Sequence, residues 1–410
     1  MMKEYLDKRD TEYMRNNMVF NYCLGNEERN VIESYIHNND IHIAFNPEHF
    51  YFLMTGVNHR FVRSFNAERF HKGILMTLNT FDAMIESLKE SGYIGQAFHI
   101  KTDNSKQIAV LFSPTKNTVD SIDKVIQKMM VCLNDGYTPM FLPEIEYISF
   151  ISTSFVGPYS GYEQIHQAFL DARELNDLLF FGIHNTIITK EYREKNARPC
   201  DVTAILGNVR RLITTICTGT QAQALKQADY IIREMIAPSY AMDNFTVLFT
   251  SFDDLLGMME IVYPEHIRIA RRAQKSFFTL EDYHAWLRGS IAAIFAQLKD
   301  IPRYSPTILM ALSYINRNYM RDLSLTQLSE YVYANASVLS SQFNDEVGMS
   351  LSEYVTGLRI KKAQELLRDT DMTVPAIAEQ VGFTGAKYFR EIFKKTTGLS
   401  PQGYRDWRSE

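Results

Sequence analysis

The sequence predicts a multidomain α+β protein, with an N-terminal α/β sandwich, a middle all-α block and an all-α C-terminal domain. Three observations support this class. Strand and helix periods alternate along residues 45–195, only the helical period continues through residues 196–302, and residues 303–410 contain two similar helical units. Residues 1–44 form a preceding segment that is predicted to be helical. The length of 410 residues is typical of two to three domains.

The alternation in residues 45–195 is typical of a mixed sheet that is covered by helices. Strands are predicted in HIAFNPEHFYFLMTGV, in the hairpin AFHIKTDNSKQIAVLFSP with its turn at Asp103-Asn104-Ser105, and over Ile145–Val156 and Ile183–Thr189. Amphipathic helices are predicted over Phe65–Ser91, Val119–Asn134 and Tyr162–Leu179.

The middle block, residues 196–302, has helical spacing of its apolar residues throughout. It contains four such segments: TAILGNVRRLITTIC, QAQALKQADYIIREMI, NFTVLFTSFDDLLGMMEIV and LEDYHAWLRGSIAAIFAQLKDI. This block is expected to connect the front domain to the C-terminal domain.

The C-terminal domain contains two helix-turn-helix patterns, Leu323–Val355 and Met372–Arg405, which resemble each other. Asn335 and Thr384 are predicted to cap the second helix of each unit, and Gly348 and Gly398 to end it. The segment between the units, GLRIKKAQELLRDT, is predicted to be one linking helix. Two such units at a fixed spacing can contact adjacent major grooves of one DNA duplex.

These residues, about a quarter of the chain, resemble the DNA-binding domain of the AraC/XylS family of transcription regulators. The resemblance implies that both recognition helices enter the major groove of double-stranded DNA. It places the first of them over Ala336–Glu346, with groove-facing Ser337, Val338, Ser340 and Ser341. The second is placed over Gly385–Thr396, with groove-facing Ala386, Lys387, Arg390 and Glu391.

Two departures affect these predicted base contacts. The first recognition helix lacks Arg and Lys, and serine discriminates less between bases than a bidentate Arg does on guanine. In the second helix Glu391 occupies a position that is often basic. It can accept a hydrogen bond from a cytosine amino group, or pair with Lys395 four residues later on the helix surface.

Phosphate contacts are expected from basic side chains of the C-terminal domain, because such contacts fix the register of a protein on DNA. The candidates are Arg359, Lys361, Lys362, Lys394, Lys395, Arg405 and Arg408. Each can equally be a solvated helix charge. Residues 303–410 contain 13 Lys and Arg against 12 Asp and Glu, so the domain is less basic than many DNA-binding domains.

The order of elements in residues 45–195 resembles a degenerate GGDEF-type, nucleotidyl-cyclase-like domain. The hairpin segment SKQIAVLFSP lies where the signature loop of that domain would be. A cyclase requires carboxylates to hold two metal ions. Asn104, Ser105, Lys106, Gln107 and Ile108 occupy the signature positions, and Thr55, Asn58 and His59 stand where metal-binding aspartates are expected. The sequence therefore predicts no catalytic residue, no metal site and no cofactor.

The composition predicts a cytoplasmic protein without a membrane segment. Hydrophobic residues make up 46% and charged residues 22% of the chain, the N-terminus lacks an apolar signal core, and the four cysteines lack metal-site spacing. No stretch approaches the 18 apolar residues that a membrane span requires.

The function predicted from these observations is that of a sequence-specific transcription regulator, controlled by an N-terminal sensing or dimerisation region. The family resemblance implies activation through RNA polymerase, and a homodimer formed by the front domains is expected. A small-molecule effector is left open. Two alternatives remain: an enzyme of nucleotide second messengers, and a ligand- or partner-binding co-regulator in which the DNA domain is secondary.

Overall fold

The computed structural model describes residues 45–58, 83–101, 106–137, 150–183 and 186–409. The chain divides into two compact units, each built from three segments. The first comprises Met1–Cys200, Ile232–Met242 and Arg272–Ala285, and the second comprises Asp201–Ile231, Asp243–Arg271 and Trp286–Glu410. The helix predicted over residues 1–44, and the part of the predicted Phe65–Ser91 helix that precedes residue 83, lie outside the described residues.

The front of the first unit consists of a mixed sheet with helices. The strands are β1 (Phe50–Asn58), β2 (Tyr93–Lys101), β3 (Lys106–Pro114), β4 (Phe150–Tyr159) and β5 (Thr186–Ile188), and the helices are α1 (Ile122–Tyr137), α2 (Gln164–Asn176) and α3 (Lys190–Asn196). The order of the described strands is β2-β3-β1-β4-β5. The contacts of β1 with β3 and β4 are antiparallel, whereas β5 pairs with β4 in parallel.

Alternating side chains of the central strand β1 enter two separate cores, one on each face of the sheet. Phe52 and Met54 belong to a core that includes Phe169 of α2. Leu53 belongs to the other, which includes Met129 of α1. Because successive strand residues point to opposite faces, a strand that is buried on both sides needs an unbroken apolar run, and FYFLM supplies it.

Four long helices follow, in agreement with the helical spacing of residues 196–302. They are α4 (Val202–Thr218), α5 (Gln221–Tyr230), α6 (Met242–Val262) and α7 (Leu280–Gln297). Asp201 and Thr220 cap α4 and α5, since their side chains accept from the main-chain nitrogens of Thr203 and Gln223. Beyond Tyr230 the chain continues as a short π-helix over Ile231–Ile236.

The C-terminal domain is all-helical and lies in the second unit. Its helices are α8 (Pro306–Asn318), α9 (Leu325–Tyr331), α10 (Ala336–Val347), α11 (Leu351–Asp369), α12 (Val374–Gln380), α13 (Ala386–Thr397) and α14 (Pro401–Ser409). The linking helix α11 contributes to two successive cores, with Val355 in the first and Ile360 and Leu367 in the second. It begins six residues earlier than the predicted start at Gly357, because Ser350 and Glu353 form a capping box.

Candidate nucleic-acid interface

The first helix-turn-helix unit consists of α9 and α10. The side chain of Asn335 accepts hydrogen bonds from the nitrogens of Ser337 and Val338, 2.9 and 3.4 Å away, which confirms that Asn335 caps the recognition helix. Leu339 and Phe343 anchor α10 in the core. The helix ends at Gly348, whose φ of 78° lies in the left-handed region that glycine favours.

The exposed face of α10 carries most of the predicted groove-facing residues. Ser337 and Ser341 are exposed, and Val338 is 59% exposed although it is apolar. Ser340 is only half-buried, at the edge of this face. The structure thus presents three of the four predicted side chains to solvent together, on the side opposite Leu339.

The second helix-turn-helix unit consists of α12 and α13. The turn between these helices is one residue longer than the turn between α9 and α10. Thr384 was predicted to cap α13, and this is wrong: the N-cap is Gly385, which has an extended backbone and no capping side chain. The reason is that Phe383 enters the second core before the helix starts, which moves the helix start along by one residue. Gly398, with φ of 81°, ends α13 as predicted.

The exposed face of α13 carries Lys387, Arg390 and Glu391, as predicted, whereas Ala386 packs against the second core. Tyr388, which is 54% exposed, was not among the predicted groove-facing residues. The cause is the helix start: once Gly385 is taken as the cap, Tyr388 falls at the position that Val338 has in α10.

Glu391 lies on the helix surface beside a basic residue one turn later. Within the described residues, no ion pair joins Glu391 to Lys395. The intrahelical pairing that was one interpretation of Glu391 is therefore absent, and its carboxylate is exposed.

The two helix-turn-helix units are held together by further contacts besides the linking helix α11. Arg359 of α11 donates hydrogen bonds of 2.8 Å to the carbonyl oxygens of Tyr319 and Arg321, in the turn after α8, and its guanidinium lies 5.8 Å from the ring centre of Phe383. Burial lowers the pKa of Arg359 below its ordinary value. The Arg359 side chain therefore joins the turn after α8 to the second helix-turn-helix unit.

A close backbone contact acts at the same joint. Gly382 has a φ of +89°, and a Cβ atom there would lie 2.6 Å from the carbonyl oxygen of Met320. Only glycine tolerates both conditions. The helices α8 and α10 share the first core of the domain, and the turn after α8 meets α11 and the second helix-turn-helix unit at this joint. Packing therefore defines the position of α10 relative to α13.

The predicted phosphate contacts fall into two groups. Lys361, Lys394 and Lys395 are exposed, and Lys362 forms an ion pair of 2.8 Å with Glu365. Arg359 and Arg405 are half-buried and donate to main-chain carbonyl oxygens; those of Arg405 belong to Leu367 and Met372. The side chain of Arg408 lies outside the described part of the structure.

The domain is also bonded to the helical block before it. Arg303 donates to the carbonyl oxygens of Ile216 and Gly219, at 2.6 and 2.7 Å, where α4 ends. Tyr263, after α6, accepts a hydrogen bond of 3.2 Å from the nitrogen of Tyr304, and the two rings are stacked 5.9 Å apart. The Tyr263 hydroxyl donates in turn to the carbonyl oxygen of Pro302 at 3.1 Å, and burial raises its pKa above the ordinary value.

This connection reaches the first recognition helix. Ser305, two residues after Arg303, donates from its main-chain nitrogen to Glu346 at 2.7 Å, and Gln342 donates to the Ser305 hydroxyl at 2.9 Å. Glu346 and Gln342 belong to the C-terminal half of α10. The segment from Arg303 to Ser305 is therefore hydrogen-bonded both to the end of α4 and to α10.

The described segments contain no group of three or more His, Cys, Asp or Glu residues that could hold a metal ion. No helix in those segments is both long enough and apolar enough to span a membrane.

The comparison with family models places residues 328–406 in a family described as helix-turn-helix domain. An uncharacterised helix-turn-helix transcriptional regulator of Bacillus subtilis is 33% identical over 136 residues, which are 31% of this chain and 17% of that protein. The melibiose operon regulatory protein of Escherichia coli is 34% identical over 94 residues, 23% of this chain and 31% of the relative. The chain thus matches less than a third of the length of each relative.

Among solved structures, the C-terminal domain of AraT, a response regulator from Geobacillus stearothermophilus, is 36% identical with a TM-score of 0.26. The match covers 26% of this chain and 88% of that domain. The family match and the regulators that share it agree with the two helix-turn-helix units of the structure. The C-terminal part of this chain is an AraC-type helix-turn-helix domain, the DNA-binding module of transcriptional regulators.

Proposed function

We propose that the protein is a sequence-specific transcription regulator that contacts two adjacent major grooves of one duplex with α10 and α13. The observation that carries the proposal is the joint around Arg359 and Gly382. Because packing holds the two helices in one arrangement, both exposed faces can approach the same duplex without a large entropic cost of ordering.

The base contacts in this proposal come from the exposed residues of both helices. On α13, Lys387 and Arg390 are long basic side chains that can reach the O6 and N7 atoms of guanine. The other proposed base contacts are Ser337, Val338, Ser340, Ser341, Ala386 and Glu391. Exposed Tyr388 is added to this set on the basis of its place on α13.

The phosphate contacts are proposed for the lysines that the fold leaves accessible: Lys361, Lys394 and Lys395, with Lys362 at the edge of this group. Arg408 keeps its predicted place. Arg359 and Arg405 stay in the set of proposed phosphate contacts, although their guanidinium groups donate to main-chain carbonyl oxygens. Such contacts position the protein on DNA and provide much of the affinity.

The front of the chain is proposed to be a degenerate GGDEF-like domain that serves in dimerisation or effector sensing and performs no catalysis. Support comes from the hairpin of β2 and β3 beside the central β1, and from Thr55 and Asn58 at the places of metal-binding aspartates. Asn104 and Ser105 of the signature positions, and His59, lie outside the described residues. The same proposal divides the chain into four domains, residues 1–44, 45–195, 196–302 and 303–410.

Homodimerisation, contact with RNA polymerase and action in the cytoplasm complete the proposal. Two C-terminal domains in one dimer would occupy repeated sites with increased effective concentration. Multi-angle light scattering of the full chain tests the proposed dimer. A chain that stays monomeric at all concentrations at which it binds DNA would contradict the dimer.

The test of the proposed function is selection of DNA by the full chain from random duplexes, followed by titration of the selected sequence. We expect a site that spans two major grooves. Lys387→Ala and Arg390→Ala should each weaken binding by about 1–3 kcal/mol and relax the preference at one base pair. Lys226→Ala, an exposed lysine of α5, is the control. Equal affinity of the unmodified protein for all sequences would contradict the proposal.

A further inference from the structure

The exposed faces of the two recognition helices differ in chemistry. α10 contains no Lys or Arg and has a net charge of −2, whereas α13 has a net charge of +3. The helices can be compared position by position, because the N-caps Asn335 and Gly385 are equivalent, and so are the buried residues Leu339 and Phe389 four positions later. The positions of Lys387, Arg390, Lys394 and Lys395 in α13 then correspond to Ser337, Ser340, Asn344 and Asp345 in α10.

Val338 is the feature of α10 that folding does not explain. It is 59% exposed, so it adds little to the core. It is also β-branched, which lowers the helix propensity of an exposed position. In a helix-turn-helix unit the N-terminal residues of the recognition helix lie closest to the base edges, and Val338 lies in the first turn of α10.

The chemistry of the major groove assigns different bases to these two faces. The 5-methyl group of thymine is the apolar group there, and small aliphatic side chains contact it. Guanine presents O6 and N7 as acceptors, which basic side chains bind. Serine hydroxyls discriminate weakly, so on α10 the apolar contact of Val338 is the more selective one.

We propose that the operator of one protomer has two unlike half-sites. In the first, Val338 of α10 contacts a thymine 5-methyl group. In the second, Arg390 and Lys387 of α13 bind guanine. This inference rests on the proposed function and specifies which bases each helix recognises. It also means that the affinity of the second half-site depends more on salt than that of the first, because charge on α13 releases counterions.

The experiment uses the full chain and the duplex that it selects from random DNA. Thymines of that duplex are replaced one at a time by deoxyuracil, which lacks only the 5-methyl group. Guanines are replaced by 7-deazaguanine, which lacks the N7 acceptor. We expect deoxyuracil to weaken binding about fourfold at one position of the first half-site, the effect of one buried methyl group. 7-Deazaguanine should weaken binding about tenfold in the second half-site, about one helical turn away.

The variant Val338→Ala connects the thymine effect to one side chain. It should bind the normal duplex about fourfold more weakly, and deoxyuracil at the sensitive position should then cost less than about twofold. Val202→Ala, at the exposed first position of α4, is the matched control and should keep the full deoxyuracil effect. Thermal unfolding followed by circular dichroism verifies that both variants are folded.

Three outcomes would overturn the inference. The first is that deoxyuracil has no effect at any position, and the second is that 7-deazaguanine weakens binding in both half-sites. The third is that Val338→Ala retains the full deoxyuracil effect. Each of these leaves sequence-specific binding by the unmodified protein intact. Failure of the unmodified protein to select any sequence would instead reject the proposed function, and the inference with it.

Discussion

Arg303 donates a hydrogen bond of 2.6 Å to the carbonyl oxygen of Ile216, so the residue that leads into the DNA-binding domain binds the last turn of α4. Carbonyl groups at a helix C-terminus lack helical partners and carry partial negative charge, which makes a guanidinium a favourable partner there. The same guanidinium lies 4.4 Å from the ring centre of Phe295. The contact joins the helical block to the DNA-binding domain within the second unit.

The first prediction concerns this contact. Arg303→Ala should lower the free energy of unfolding of the second unit by about 1.5–3 kcal/mol, because carbonyl groups that now accept from a charged donor lose it. Urea unfolding measures the change. Arg317→Ala, an exposed arginine of α8, should change stability by less than about 0.5 kcal/mol. Equal effects of the two variants would show that the Arg303 contact contributes nothing.

The second prediction concerns salt. Lys394→Ala and Lys395→Ala should each reduce the slope of log affinity against log salt concentration by about 0.9, since each removes one proposed phosphate contact. The affinity should fall by a similar factor on the selected site and on unrelated DNA. Val338→Ala removes no charge and should leave the slope unchanged. A slope that stays constant in both lysine variants would exclude them as phosphate contacts.

The third prediction compares equivalent turns. Tyr333 and Gly382 both follow their short helix in the left-handed region, but Tyr333 is 94% exposed while Gly382 contacts Met320. Tyr333→Gly should raise the free energy of unfolding by about 0.5–1 kcal/mol, because relief of strain exceeds the added freedom of the unfolded chain. Gly382→Ala should lower it by about 1–3 kcal/mol. Thermal unfolding gives both signs, and a matching sign in the two turns would contradict this account.

The fourth prediction concerns pH and the front unit. Half-buried Asp171 accepts hydrogen bonds from Tyr159, Lys190 and Gln167 at 2.6, 2.6 and 2.7 Å. Burial raises the pKa of Asp171, but the hydrogen bonds outweigh it and the net pKa is lowered. Its contribution to stability is therefore present above the unfolded pKa of about 3.9 and is lost as the pH falls through the folded pKa.

Asp171→Asn should therefore destabilise the first unit by about 1–3 kcal/mol at pH 7. The difference from the unmodified protein should shrink as the pH falls below about 4. Urea unfolding at a series of pH values measures this. Glu194→Gln, an exposed acid of α3, should show little effect at any pH. A destabilisation by Asp171→Asn that is the same at pH 7 and pH 3 would rule out charge as its cause.

Much of the C-terminal fold follows from local rules. Asn335 forms the cap that its position predicts, and Gly348 and Gly398 end their helices in the left-handed region, because these effects depend on residues within one turn. Thr384 was assigned wrongly because the position of a cap also depends on burial. Phe383 enters the core first, and no local rule anticipates that.

The front domain shows the same division. The strands and the helices α1 and α2 are found close to their predicted places, with end points that differ by a few residues. The order β2-β3-β1-β4-β5 was not predicted, because hydrophobic period specifies which face of a strand is buried but not which strands are neighbours.

The sequence alone determined that this protein has a double helix-turn-helix domain, since two repeats of apolar spacing, caps and glycines repeat one local pattern. Only the tertiary structure decided which basic residues are accessible. In the sequence, Arg359 and Arg405 are basic helix residues like Lys361 and Lys394. In the structure, their guanidinium groups donate to main-chain carbonyl oxygens that lie 33 to 40 residues away in the chain. A guanidinium group that donates to main-chain carbonyl groups stabilises the fold, and whether it does so depends on contacts between residues distant in the chain.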